Sequence, residues 1–233
     1  IAADAEGFNQ TAAGNHYIDN VWNANRTITG SAIGRLTGQW NGNEVASIKY
    51  IVGADTTNKD DAHITFHTAT SGSNNTERAR IDSEGRLLIG HTAALSVNTS
   101  QHRLQLIGTN YATSGFSLQR YQNDSSGASL LLSHSRDGTI GDHSALQSGD
   151  ELGKIRFLGS DGSDFAGEGA EISVVADGGF SSDSLPSKIQ FKTTPNGSNG
   201  STTRMTIDQN GYVKINSTDS SGYHTIRLDT TTN

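Results

Sequence analysis

The chain has 233 residues, 32% of them hydrophobic and 6% aromatic, with a formal net charge of −7. It contains no cysteine, which excludes disulfides and thiolate metal sites. The acidic balance argues against nucleic acid, which needs a basic stripe, and no apolar run approaches the roughly 18 residues of a membrane-spanning helix.

Strand signals recur along the chain. Apolar residues alternate with polar ones in Ala46–Tyr50, His63–Phe66, Arg103–Leu106, Lys154–Phe157 and Lys188–Phe191, the period of a half-buried strand. Turn-forming clusters such as Ser71–Asn75 and Asn196–Gly200 separate these runs. No helical period persists, so the class is all-β. Low apolar content in an ordered pattern predicts a thin core that partner chains complete.

The chain also repeats itself. Glu44, Ala46 and Ile48 are echoed by Glu168, Ala170 and Ile172, an offset of 124. Ile64 and Phe66 are echoed by Ile189 and Phe191, and Arg78, Ile81, Asp82 and Gly85 by Arg204, Ile207, Asp208 and Gly211. Near the end, Ser221–Leu228 resembles Ser100–Leu106. The expected organisation is tandem β-rich modules of roughly 120–125 residues: 1–96, 97–218, and the truncated start of a third at 219–233. The first residue, Ile1, and the polar Thr230-Thr231-Thr232-Asn233 ending read as those of a piece of a longer protein.

Each echo ends in the same sentence. Asp82-Ser83-Glu84-Gly85 and Asp208-Gln209-Asn210-Gly211 place Asp first and Gly fourth, which predicts a type I turn joining two short strands. Asp accepts hydrogen bonds from nearby backbone N–H groups, and Gly takes the positive φ of a bulged exit. The Arg ahead of each Ile-Asp is expected to pair with that Asp at the surface.

Several stretches taken together resemble a known family. They are Ser135-Arg136-Asp137-Gly138, Gly149–Gly162, Gly169-Ala170-Glu171-Ile172, Ile189–Thr194, and Arg204–Asp208 with Gly211. They resemble repeats in the tail-fibre proteins of tailed bacteriophages, frequent in marine phages. The first module matches from about Ile33 to Gly90, with Gln39-Trp40-Asn41-Gly42 where the family has a longer segment. The resemblance implies an elongated, intertwined homotrimeric fibre in the virion. It also implies other phage tail proteins as partners, support of host attachment, and no enzymatic activity. Host surface glycan is a further partner class; nucleic acid and membrane insertion are not expected.

No catalytic, cofactor-binding or metal residue is assigned, and no cofactor is expected. Glu44 and Glu168 recur, and paired carboxylates hydrolyse glycosides, so a tailspike-like depolymerase of host polysaccharide is the alternative. A carbohydrate-binding module of a bacterial surface protein is another. His63 and His67 lie about 13 Å apart on a strand, too far to share one ion. The acidic loops Asp55 with Asp60-Asp61, and Asp161-Gly162-Ser163-Asp164, carry calcium-type oxygens without the spacing of a known loop. Tyr17, Trp22, Trp40, Tyr111 and Tyr121 are candidates for stacking on sugars, set against roles in filling interchain cores or covering strand edges. The Asn-x-Ser/Thr triplets at Asn25 and Asn98 are ascribed to composition.

Overall fold

The computed structural model describes residues 20–216. Tyr17 and the expected third module at 219–233 lie outside the described residues. Within them the chain forms eleven β-strands and no helix. Four of the five alternating runs fall wholly in strands and the fifth, Arg103–Leu106, in all but its first residue, as the period-2 pattern requires.

Two compact units are formed. The first unit holds β1 (Ala32–Trp40), β2 (Asn43–Val52), β3 (Ala62–Thr68), β4 (Thr76–Ile81), β5 (Leu87–Ile89) and β6 (Leu104–Leu106). They form one sheet in chain order, antiparallel except for the parallel pair β5–β6. The second unit holds β7 (Glu151–Leu158), β8 (Glu168–Ala176), β9 (Ser187–Thr193), β10 (Thr202–Ile207) and β11 (Val213–Ile215), an antiparallel meander. The unit boundary differs from the expected break at 96/97. Leu95–Gln101 belongs with the second unit, but His102–Phe116 belongs with the first. The physical reason is β6, docked on β5 by Leu87 N–H donating to Arg103 O (2.8 Å) and Ile107 N–H to Ile89 O (3.0 Å).

Register aligns the apolar residues into rows. In the first sheet Leu36, Ile48, Phe66, Ala79, Ile89 and Leu106 are successive ladder partners. A parallel row runs Gly34, Tyr50, Ile64, Ile81, Leu87 and Leu104. The second sheet has the same two rows: Ile155, Ile172, Phe191, Met205, Ile215, and Gly153, Val174, Ile189, Ile207, Val213. The two rows of a sheet lie on the same face, because residues two apart on a strand share a face.

Burial is inverted relative to that pattern. Among the described residues four hydrophobic side chains are buried (Val52, Leu88, Leu146, Ala176), against eight polar or charged ones. Thr65 and Ser173, on the polar faces, are fully buried, while Leu36 on the apolar face is 51% exposed and Phe157 54%. Thr65 is flanked in the ladder by Lys49 and Arg80, whose stems are long enough to cover it. Among the described residues the apolar faces receive only a partial cover. Trp22 stacks on Tyr50 with ring centroids 5.4 Å apart. It lies over Gly34, where an added Cβ would meet its Cγ at 2.5 Å. In the second unit Leu132 lies over Gly153 in the same manner, at 2.7 Å.

The Asp turns fold as the sequence predicts. Gly85 N–H donates to Asp82 O and Gly211 N–H to Asp208 O, both at 2.9 Å, and the two glycines have φ of +72° and +80°. A Cβ at Gly211 would meet nothing within 4 Å, so substitution there tests backbone strain alone. Gly211→Ala is expected to lower unfolding free energy by about 1–2 kcal/mol. Gly159→Ala, where φ is not positive and space is equally open, is expected to be neutral. Urea melts of both variants measure the difference.

Candidate functional site

The recurring glutamates are set by recurring β-bulges. Gly38 pairs with Ala46 but Gln39 with Glu44, leaving Val45 as the extra residue; Phe157 pairs with Ala170 but Leu158 with Glu168, leaving Gly169. A bulge re-aims the next side chain. Here it turns each glutamate toward the connector that follows the neighbouring strand. Asn75 Nδ2 donates to Glu44 Oε1 (2.7 Å) and to Ser47 Oγ (2.9 Å), and Ser47 Oγ donates to Glu44 Oε1 (3.0 Å). In the second unit Ser201 Oγ donates to Glu168 Oε1. The bulged carbonyls hold the same connectors: Ala69 N–H donates to Val45 O (2.9 Å) and Thr194 N–H to Gly169 O (3.0 Å). Arg35 and Lys49 pair with Glu44, and Arg156 with Glu168. Hydrogen bonds from Asn75 and Ser47 hold the Glu44 carboxyl below its ordinary range, against a smaller opposing effect of burial. Both carboxylates therefore act as latches.

A second polar cluster was not foreseen. Glu171 on β8 is 4% exposed and is clamped by Lys192 Nζ (2.7 Å) and Arg156 Nε (3.1 Å). Burial pushes its pKa up, but the hydrogen bonds from Lys192 and Arg156 outweigh it and bring the group down to about 2. A charged residue in an alternating strand reads as surface, so nothing in its local sequence marks it as buried. Arg156 contacts both Glu168 and Glu171, tying the latch to this clamp.

The Asp turns correct one expectation. Asp82 Oδ1 accepts from Glu84 N–H (3.1 Å) and Arg86 N–H (2.9 Å), and Asp208 Oδ1 from Asn210 and Tyr212 N–H (both 3.0 Å). Their outer oxygens pair with Arg86 and Lys214, which follow the turn, and not with the preceding arginines. Arg78 and Arg204 instead donate across the sheet to Thr68 Oγ1 (3.2 Å) and Thr193 Oγ1 (3.0 Å). Arg78 and Arg204 are the extra residues of bulges in β4 and β10, and the bulge aims each toward the neighbouring strand and not toward the turn.

The remaining candidates occupy separate places. His63 Nδ1 accepts from Ser83 N–H (3.2 Å), whereas His67 Nε2 contacts Thr65 Oγ1 (3.0 Å). Among the described residues no group of three His, Cys, Asp or Glu side chains is arranged to hold a metal. Asp55 Oδ1 accepts from Thr57 and Asn58 N–H, and Asp61 from Ala54 and Asp55 N–H. Asp161 Oδ1 accepts from Ser163 and Asp164 N–H. These carboxylates bind their own backbone, and Asp60 is exposed. Trp22 covers a sheet face, as described above. Tyr111 and Tyr121 are almost fully exposed. Asn98 and Thr99 form a tight turn with positive φ, bridged by Val97 and Ser100. Asn25 accepts from Lys59 Nζ.

One cleft gathers an exposed aromatic and polar groups. It measures about 950 Å³ and lies between Trp40 and Asn43 at the β1–β2 tip and the connector Thr70–Asn75, with Glu44 and Lys49 also lining it. Asn41 (φ +50°) and Gly42 (φ +82°) form the two-residue tip, the type I′ geometry that matches strand twist. The connector turns through Thr70–Ser73, with Gly72 at φ +74°.

No protein-family model and no curated protein matches the chain. Its fold is similar to that of the carboxy-terminal domain of the L-shaped tail fibre of bacteriophage T5. The TM-score is 0.70 at 18% identity, covering 98% of this chain and 99% of that one. A second structure of that domain, with its intramolecular chaperone domain, gives 0.71 at 17% identity, covering 98% of this chain and 68% of that one. The chain thus has the all-β fold of a phage tail-fibre domain.

The clamp makes a pH prediction. The folded pKa of Glu171 is about 2 against an ordinary 4.5, so its contribution is full above 4.5 and is lost as pH falls toward 2. That contribution is on the order of 2 kcal/mol once partial exposure of Arg156 and Lys192 is discounted. Glu171→Gln is expected to remove that part of the stability difference between pH 7 and pH 2.5. Denaturant titrations at both pH values check it.

Proposed function

We propose that the chain is a non-enzymatic structural segment of a phage tail fibre, which assembles as a homotrimer of tandem modules and supports attachment of the virion to its host. The carrying observation is the inverted burial: two sheets with matched register each leave a continuous apolar face half-exposed while hiding their polar face. A protein that works as a lone chain has no reason to arrange both sheets this way. Around a threefold axis each apolar face meets its own copies, which closed symmetry permits without leaving an open end. The likeness to a tail-fibre domain supports the same reading. So do the repeats, which resemble those frequent in marine phages; other tail proteins would then be its virion neighbours.

The depolymerase alternative is disfavoured by the latches. Glu44 and Glu168 are engaged by Asn75, Ser47 and Ser201 and by neighbouring cations, which leaves neither free to act as acid and base across a glycosidic bond.

Light scattering on the purified chain is expected to give three times its 24.6 kDa mass. Phe191→Glu, placing a charge within an apolar row, is expected to shift the species toward monomer while β circular dichroism is retained. A monodisperse monomer of the unaltered chain with full β content sinks the trimer. Incubation with host capsule or lipopolysaccharide is expected to release no reducing ends. Sustained release that Glu168→Gln abolishes would overturn the non-enzymatic reading.

A further inference from the structure

We infer that the extended segment 115–122 is a β-strand that the chain lends to a second copy of itself, where it adds to the open edge of β7. The inference rests on the homotrimer proposed above and names one of the contacts that build it.

The stretch between β6 and β7 is unlike the rest of the chain. Every residue from 108 to 134 is exposed. Phe116-Ser117-Leu118-Gln119 nonetheless alternates as the strands of both sheets do. Phe116 is 74% exposed and Tyr121 89%. Among the described residues, no backbone–backbone hydrogen bond involves residues 115–121. Side-chain hydrogen bonds stay inside the segment and its turn: Gln119 with Ser117, Tyr121 with Gln119, and Arg120 with Gln122 and Asp124. An extended chain with strand-type residues and unpartnered N–H and C=O groups has the chemistry of a strand without a sheet.

The receiving edge is long and open. β7 ends its sheet, paired with β8 on one side and, among the described residues, with no strand on the other. It has eight residues and no proline, so its outer edge offers the row of N–H and C=O groups that takes up an added strand. The chain's own preceding segment covers little of it. Leu132 lies over the face at Gly153, and His134 Nδ1 lies 2.8 Å from Glu151 O, both without a backbone hydrogen bond. The outermost strands β6 and β11 have three residues each, too few to hold the segment. Ser117 onward belongs to the second unit. Copies around one threefold axis meet at matching heights, so the recipient is β7 and not β1.

The added strand continues the interface already proposed. Both apolar rows of the second sheet begin on β7, at Gly153 and Ile155. Phe116 and Leu118 are likewise two apart, so a strand added there extends each row by one position. Residues 108–134 also match the roughly 20–30 residues that each partner gives to a stable interface.

The test uses the full 233-residue chain. Amides of residues 115–122 are expected to exchange hydrogen about a hundredfold or more slowly than in a peptide of that segment, and trypsin to cut after Arg120 about tenfold or more slowly. Both protections are expected to vanish in the monomeric Phe191→Glu chain. Protection that persists there puts the pairing within one chain and overturns the exchange. The chain lacks cysteine, so introduced pairs report alone. Phe116→Cys or Leu118→Cys, combined with Ile155→Cys, is expected to give disulfide-linked species at multiples of the chain mass, absent from each single variant. A link formed only within one chain, or none from either pair, overturns the assignment to β7. Light scattering on the same samples keeps the two readings apart. A trimer whose segment is cut and exchanges as the peptide does refutes the exchange alone. A monomeric unaltered chain refutes the trimer and the exchange with it.

Discussion

A sheet one layer thick has two faces, and among the described residues this chain supplies cover for one. That constraint organises both units. The ladder collects Ile, Leu, Phe and Val on one side and short polar residues with long charged ones on the other. A globular protein would pack a second layer on the apolar side. Here the polar side is closed by Lys and Arg stems and by ion pairs such as Lys192–Glu171. Among the described residues, a residue of the preceding segment lies over the apolar side: Trp22 in one unit, Leu132 in the other. Each lands on a glycine at the start of the same row, because any side chain at Gly34 or Gly153 would collide with it.

What is common to the two units is structural, and that clarifies the carboxylates. A bulge at Val45 and Gly169, a latched glutamate one residue before it, a connector with a positive-φ glycine, and an Asp-Gly turn form one set of devices. The bulge matters most. Without it Glu44 would keep the parity of Ala46 and Ile48 and point into the apolar face, where an unpaired charge is costly. With it, the charge moves to the polar side and ties the connector down. The same reasoning explains why the partners differ: Asn75 and Ser201 are both short donors, and the geometry asks only for a donor at that place.

Much of this was legible in the sequence. The strands follow from period-2 alternation, and the Asp turns from Asp at the first position and Gly at the fourth. Asn41-Gly42 between two strands is a strong hairpin signal that the resemblance, with its longer segment there, does not contain. What was not legible depends on cross-strand register. Val45 breaks the alternation by one residue without any change of composition that would mark a bulge. Arg78 stands near Asp82 in sequence but across from Thr68 in space. Glu171 is buried because Arg156 and Lys192 happen to face it from both neighbours. Leu104–Leu106 looks like the start of a new module and yet pairs with the sheet before it.

Magnitude decides how the open faces bear on assembly. Covering a half-exposed Ile or Phe contributes about 1 kcal/mol at roughly 25 cal/mol per Å². A surface ion pair contributes about 0–1 kcal/mol. Association costs about 4–15 kcal/mol of lost freedom. A few surface ion pairs cannot meet that cost, but two rows of four to six apolar positions in each sheet, each row covered by copies of itself, can. The stretch between β6 and β7 adds Tyr111, Tyr121, Leu131 and Ile140, each more than four-fifths exposed. Scattered apolar residues are ordinary on a surface, but whole rows in register are not. In the proposed trimer the long-range order of these rows is what the chain contributes to its own assembly.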